Sequence, residues 1–347
     1  METLWFWLVA LLITAYVILD GFDLGAGALH LFVARTDRER RIVLQSIGPV
    51  WDGNEVWLLA AGGSLVLAFP LLYASSFSGF YLPLMMVLWL LILRAISIEF
   101  RSHVDNPVWR PVWDVVFCLS SLLLTVFFGA ALGNVVRGVP LGEDGYFFNP
   151  LWTSFSLRGP EMGILDWYTV TVGVTSLLAL THHGALWLVL KTEDPVRERA
   201  ARAARVLWPF LVAAVAVLTW MTFRVQPHVP AQMNARPLSY ALPTLALGGA
   251  LGARFLAARG KELGPFLASC IFLAGMLLSV AYGLYPMVLP ASNDPAASLT
   301  VFNAHGPEYS LRTALWWWVP GMILAAAYTA FVYRHMAGKV KLDEGGY

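Results

Sequence analysis

The chain has 347 residues, of which 58% are hydrophobic, 14% aromatic and 13% charged, with a net charge of +1. Charged residues stand at about half the share of an average soluble domain, so too little polar surface exists to cover a globule in water. This balance excludes a soluble enzyme, a disordered chain, a disulfide scaffold and a nucleic-acid-binding surface, and it indicates an all-α polytopic membrane protein.

A bilayer span takes roughly 20 mostly apolar residues. Nine such runs follow in chain order, at about 5–30, 50–73, 77–100, 113–136, 166–190, 206–224, 238–257, 265–287 and 312–334. They make residues 1–347 a single integral membrane domain with no extramembrane unit and no obvious repeat. The opening Met-Glu-Thr-Leu-Trp-Phe lacks a basic leader and a cleavage site, so the first run reads as a retained helix. Charge collects in the breaks, as in Arg35-Thr-Asp-Arg-Glu-Arg-Arg41 and Lys191-Thr-Glu-Asp-Pro-Val-Arg-Glu-Arg199. Of the 23 Lys and Arg, 17 lie in or beside the breaks after spans 1, 3, 5 and 7 or in the C-terminal tail. Only 5 flank the breaks after spans 2, 4, 6 and 8. The positive-inside rule therefore predicts an outside N-terminus and a cytoplasmic C-terminus. The longest outside break, about 137–165, holds Glu143, Asp144, Phe147, Phe148 and Trp152 and reads as a small aromatic cap. The break after span 6 is short and carries Pro227, Pro230 and Pro237.

An ionisable side chain inside a span costs roughly 2.5–3.5 kcal/mol on insertion scales, so it needs a partner or a task. Span 1 carries Asp20 and Asp23 on one helix face, with His30 further along that face. Gly21 and Gly25 form a small-xxx-small pair that admits a close helix neighbour. Span 2 opens with Trp51-Asp-Gly-Asn-Glu-Val-Trp57, bringing Asp52, Asn54 and Glu55, with Gly53 leaving room for water. Span 3 ends with Arg94 and Glu99, and span 4 begins near Asp114. With the predicted orientation, all these groups lie in the cytoplasmic part of four consecutive helices. Asp52, Asp20, Asp23, Glu55 and Glu99 then line a hydrated half-channel, the usual material of a proton relay. The bland reading has Arg94 pairing with Asp52 or Glu99 to lock the bundle, and Asp114 capping a helix.

Span 5 carries Thr181-His182-His183-Gly184. Adjacent His point about 100° apart on a helix and cannot share one iron, so His183 reads as a hydrogen-bonded structural group. Trp316-Trp-Trp318 reads as interfacial belt or packing. Cys118 and Cys270 lie in apolar runs, and neither pairing nor metal-ligand spacing is indicated.

Tyr16-Val-Ile-Leu-Asp-Gly-Phe-Asp-Leu-Gly-Ala-Gly27 and Ile47-Gly-Pro-Val-Trp-Asp-Gly-Asn-Glu-Val-Trp57 resemble subunit II of cytochrome bd-type quinol oxidases, including the related cyanide-insensitive oxidases. Ser76-Phe-Ser-Gly-Phe-Tyr81, Gly133-Asn-Val-Val-Arg-Gly-Val-Pro140, Tyr285-Pro-Met-Val-Leu-Pro-Ala-Ser292 and Ala297-Ser-Leu-Thr300 fit the same family. The resemblance implies two four-helix bundles, spans 1–4 (about 5–136) and 5–8 (about 166–287), with span 9 (about 312–334) peripheral. It implies a heterodimer in the bacterial inner membrane, with a possible small accessory subunit. Subunit I would hold two b-type haems, one d-type haem and the quinol-oxidising loop, while this chain would bind no cofactor. The complex would oxidise quinol and reduce oxygen to water with protons from the cytoplasm. Asp52 matches the aspartate that the family associates with a proton path. Asp20 and Asp23 match its Asp-Gly-Phe-Asp motif, whose role is structural or proton-conducting. The alternative function is a proton-coupled secondary transporter, although no broken helices recur in corresponding positions of the two halves.

Overall fold

The computed structural model describes residues 1–153 and 163–340. Helix α1 runs unbroken over Glu2–Val33. The charged break after it is itself helical. Thr36 and Glu39 form a reciprocal capping box, which starts α2 at Asp37–Ile47. Helix α3, Trp51–Ala68, ends because Pro70 lacks an amide hydrogen and disfavours helical geometry at Phe69. Helix α4, Pro70–Gly79, departs at 118° from α3. Span 2 is thus a broken pair and not the straight run expected over 50–73, and span 3 starts later, as α5 at Tyr81–Phe100.

Helix α6, Trp109–Arg137, stops at Gly138, whose φ of 92° is left-handed. Helix α7, Trp167–Lys191, starts from a capping box between Asp166 and Thr169. Helix α8, Val196–Val225, begins in the charged break, so its first turns carry Arg197, Arg199, Arg202 and Arg205. The proline-marked break forms α9, His228–Ala235, before α10, Ala241–Ala258, and α11, Leu263–Leu284. Strands β1, Met287–Leu289, and β2, Leu299–Thr300, pair as an antiparallel hairpin, and α12 spans Glu308–His335. Among the described residues, eight helices are long and apolar enough to cross a membrane, or nine spans if the broken pair is counted as one.

Helix α7 sits at the centre, with 78% of its apolar window buried, against 0% for α12. It packs on α1, α6 and α8. Helix α1 also packs on α3 and α6, and α10 lies on α11. The Gly21/Gly25 face meets α7: a Cβ on Gly25 would run into the Leu180 carbonyl and the Gly184 backbone. The α1 N-terminus, α4 and the hairpin share one end of the molecule, where the Trp5 indole donates to the Leu311 carbonyl at 3.1 Å. The opposite end carries α2.

The expected aromatic cap is split. Phe147 is buried edge-on against Phe80 and fills the space beside Gly79, whereas Phe148, Trp152, Glu143 and Asp144 are exposed. The remainder of that cap, residues 154–162, lies outside the described residues. In the tryptophan run, Trp316 and Trp317 are exposed, while Trp318 donates to Ser64 at 2.9 Å and meets Trp5 edge-on.

Candidate functional site

Towards the α2 end, the buried charges of the described residues form two layers, not one. In the deeper layer, Arg94 of α5 is fully buried and holds Asp20 of α1 with both terminal nitrogens, at 2.5 and 3.0 Å. The second of those nitrogens, Nη1, also donates to Glu55 at 2.9 Å. Three residues along α1, Asp23 accepts from the Asn54 amide at 2.7 Å, and the same amide donates to the Leu19 carbonyl at 3.1 Å. The other oxygen of Asp23 is buried without a hydrogen-bond partner among the described residues. Tyr333 of α12 donates to the Asn54 carbonyl oxygen at 2.9 Å. The Tyr333 ring also lines a cavity of about 500 Å³ at the α2 end, beside Gln45, Lys191 and His335. A continuous hydrogen-bonded line therefore leads from that cavity to Asp23. Tyr333 escaped the sequence reading because it lies almost 280 residues from Asn54.

The second layer is centred on Asp114. Its carboxylate accepts from His30 at 2.7 Å, Arg101 at 2.6 Å and Arg40 at 3.0 Å. Arg101 continues to Asp37 at 2.7 Å. Asp114 is therefore an interhelix junction and not a helix cap. The cap position of α6 is Val108, without a side-chain bond. Seven residues of α5 separate Arg94 from Arg101, which places this layer ~10 Å nearer the α2 end. Arg101 and Arg40 went unread because both were assigned to charged breaks.

Two expected members join neither layer. Asp52 is exposed on α3 and makes no hydrogen bond among the described residues, so it does not anchor Arg94. Glu99 is half-buried, and its carbonyl, not its carboxylate, accepts from His103. Arg94 thus pairs with Asp20 and Glu55, and with neither Asp52 nor Glu99.

His183 is buried with both ring nitrogens engaged, by Ser269 at 2.6 Å and the Ile18 carbonyl at 3.0 Å. Its ring stacks on Phe266. No nitrogen is left for a haem iron, so the residue does not fit an axial ligand. Cys118 and Cys270 carry free thiols.

At the hairpin end, Arg137 binds Asp166, the Asn134 oxygen at 2.7 Å and the Gly163 carbonyl at 2.9 Å. The Gly133–Pro140 motif is thus a clamp that joins the end of α6 to the cap of α7. A surface clamp holds α2 as well. Glu39 accepts from Arg199 at 2.8 and 2.9 Å and from the Arg35 amide at 2.6 Å. The Arg199 guanidinium, with those amides, pushes the Glu39 carboxyl down to about 2.

A family profile described as cytochrome bd terminal oxidase subunit II matches residues 1–336. The chain is 34% identical to the probable cytochrome oxidase subunit 2 of Haemophilus influenzae, over 97% of this chain and 94% of that protein. It is 30% identical to the cytochrome bd-I ubiquinol oxidase subunit 2 of Escherichia coli K12, over 98% and 95%. The cytochrome bd ubiquinol oxidase subunit 2 of Bacillus subtilis is 30% identical over 96% of both. The fold is shared with a chain of the bd oxidase from Geobacillus thermodenitrificans, at a TM-score of 0.74 and 16% identity, over 96% of this chain and 97% of that one. A match over nearly the whole length, on a chain of many apolar helices with the two motif-bearing helices α1 and α3, places this chain in the cytochrome bd terminal oxidase subunit II family.

Proposed function

We propose that this chain is the non-haem subunit of a membrane quinol oxidase. Its haem-bearing partner, subunit I, oxidises quinol and reduces oxygen to water. In this reading the α2 end faces the cytoplasm, as the charge asymmetry predicts, and the chain both braces subunit I and delivers protons to it. Family membership supports the oxidase reading over the transporter.

The observation that carries the proton role is the line from the α2-end cavity through Tyr333 and Asn54 to the half-partnered carboxyl of Asp23. Oxygen reduction consumes protons, and a bilayer admits them only along polar groups or water. The Asn54 amide orients Tyr333 and Asp23 but is no acid, so water carries the proton past it. From Asp23 the route passes the Asp20–Arg94–Glu55 set and leaves by Glu55 and the exposed Asp52 on α3, towards the partner. Glu99 stands off this route.

The test is Asp23→Asn and, separately, Asp52→Asn. Each keeps shape and hydrogen-bonding capacity but cannot carry a proton. The expected result is an assembled complex with its full haem content and strongly reduced oxygen consumption. Normal turnover with normal proton uptake in both variants would overturn the relay.

A further inference from the structure

A second cavity, of about 370 Å³, opens at the α2 end between α7, α8, α10 and the start of α11. Small side chains such as Ala204 and Ala253 leave this space between the helices. Its rim carries Arg197, Arg205, Arg254 and Lys261. One carboxylate, Glu262, reaches it, and that group is already engaged by Lys339 at 2.7 Å and Arg197 at 3.3 Å. Arg205, Arg254 and Lys261 are exposed and make no ion pair among the described residues. At the base lies His182, only 4% exposed and without a hydrogen-bond partner among the described residues. A buried polar ring with no partner, aimed into a space whose rim carries three cations without an ion pair, is arranged for an anion that accepts hydrogen bonds.

The surroundings select the kind of anion. Val206 and Leu251 beside the rim are apolar and about half exposed, on helices long enough to span. An ion free in water has no use for that surface, whereas acyl chains do. We propose that this cavity holds the phosphate headgroup of an anionic phospholipid. Arg205, Arg254 and Lys261 neutralise the phosphate, His182 donates from below, and the chains lie along α8 and α10. The site needs only the cavity and a bilayer, so it stands whether or not the proton route does.

The test uses the complex purified with its partner. Bound phosphatidylglycerol is counted by native mass spectrometry, and affinity is measured with short-chain phosphatidylglycerol. Arg254→Gln/Lys261→Gln removes two exposed rim charges. Arg224→Gln/Arg236→Gln removes two exposed charges at the hairpin end as a matched control. The rim variant is expected to retain one fewer lipid and to bind roughly tenfold or more weakly, while the control matches the parent. Equal retention by parent and rim variant, or equal loss in the control, would overturn the site. Equal affinity for phosphatidylcholine would show that headgroup charge is not read. Binding of inorganic phosphate as tight as that of the lipid would make the ligand a free phosphate and reject the lipid.

Discussion

Arg94 illustrates how one buried charge dictates a neighbourhood. A guanidinium with no solvent exposure is tolerated only when carboxylates compensate its charge, and Asp20 does this in a two-point grip on the terminal nitrogens. Removing one member of such a pair leaves an uncompensated charge and costs about 3–5 kcal/mol. Asp20→Asn is therefore expected to lower the yield of assembled complex sharply, in contrast to Asp23→Asn, which keeps the Asn54 bond. Glu55→Gln should be mild, because that carboxylate is 24% exposed and water replaces part of the lost contact. Equal yields for the Asp20→Asn and Glu55→Gln complexes would refute the hierarchy. Glu39 gives the pH-dependent case. Its folded-state pKa is depressed from 4.5 to about 2, so its ionised form stabilises the fold above 4.5, and this stability is lost as pH falls towards 2. The thermal stability of Glu39→Gln should trail the parent at neutral pH, and the gap should shrink across that window. A gap independent of pH would show that the ionisation of Glu39 does not stabilise the fold. The residue types of the inner site were legible in the sequence, since Asp, Glu and Arg inside apolar runs demand partners. Partner choice was not, because Arg94 chose Asp20, 74 residues away, over nearby Glu99.

At the scale of elements, α1 and α7 approach each other closely. Gly25 and Gly184 face each other backbone to backbone, so neither side can yield to a new methyl group. Gly21 looks instead onto the flexible end of Leu180, at 2.9 Å from where a Cβ would sit. Gly25→Ala and Gly184→Ala should each push the helices apart and cost about 1–3 kcal/mol, with Gly21→Ala the gentler change. Thermal midpoints of the purified complexes check the order, and a Gly21→Ala variant as damaged as Gly25→Ala would contradict it. The small-xxx-small pair was legible in the sequence, but whether it met a partner subunit or the chain's own helix was not. Its neighbour Gly184 lies about 160 residues on, and no local pattern links the two. The nine apolar runs were legible because length and hydropathy alone decide a span. The 118° break at Pro70 and the helical nature of α2 were written in the sequence too, as a proline and as a Thr-x-x-Glu capping box. Hydrophobic run length outweighed the first signal, and charge density masked the second.

The whole molecule is unevenly covered. Helix α7 buries 78% of its apolar window, while α5 buries only 17%. Most exposed apolar side chains on these helices suit lipid, but α3 carries a charge among them. Asn54 bonds the Leu19 carbonyl, 14 residues before the end of α1, so the start of α3 lies ~20 Å in from the α2 end. Asp52, exposed at that depth, would cost roughly 2.5–3.5 kcal/mol against hydrocarbon. A protein surface that supplies water or polar groups removes this cost, so the face of α3 with Val56 and Leu59, at 51% and 73% exposure, is the one we assign to subunit I. Helix α10 shows no such charge mid-span, and its Leu247, 57% exposed, should meet lipid. A photo-crosslinking residue in place of Leu59 should therefore join this chain to subunit I, and one in place of Leu247 should label lipid alone. If the Leu59 position labels only lipid in the intact complex, subunit I lies elsewhere, and Asp52 cannot be the point at which protons leave this chain.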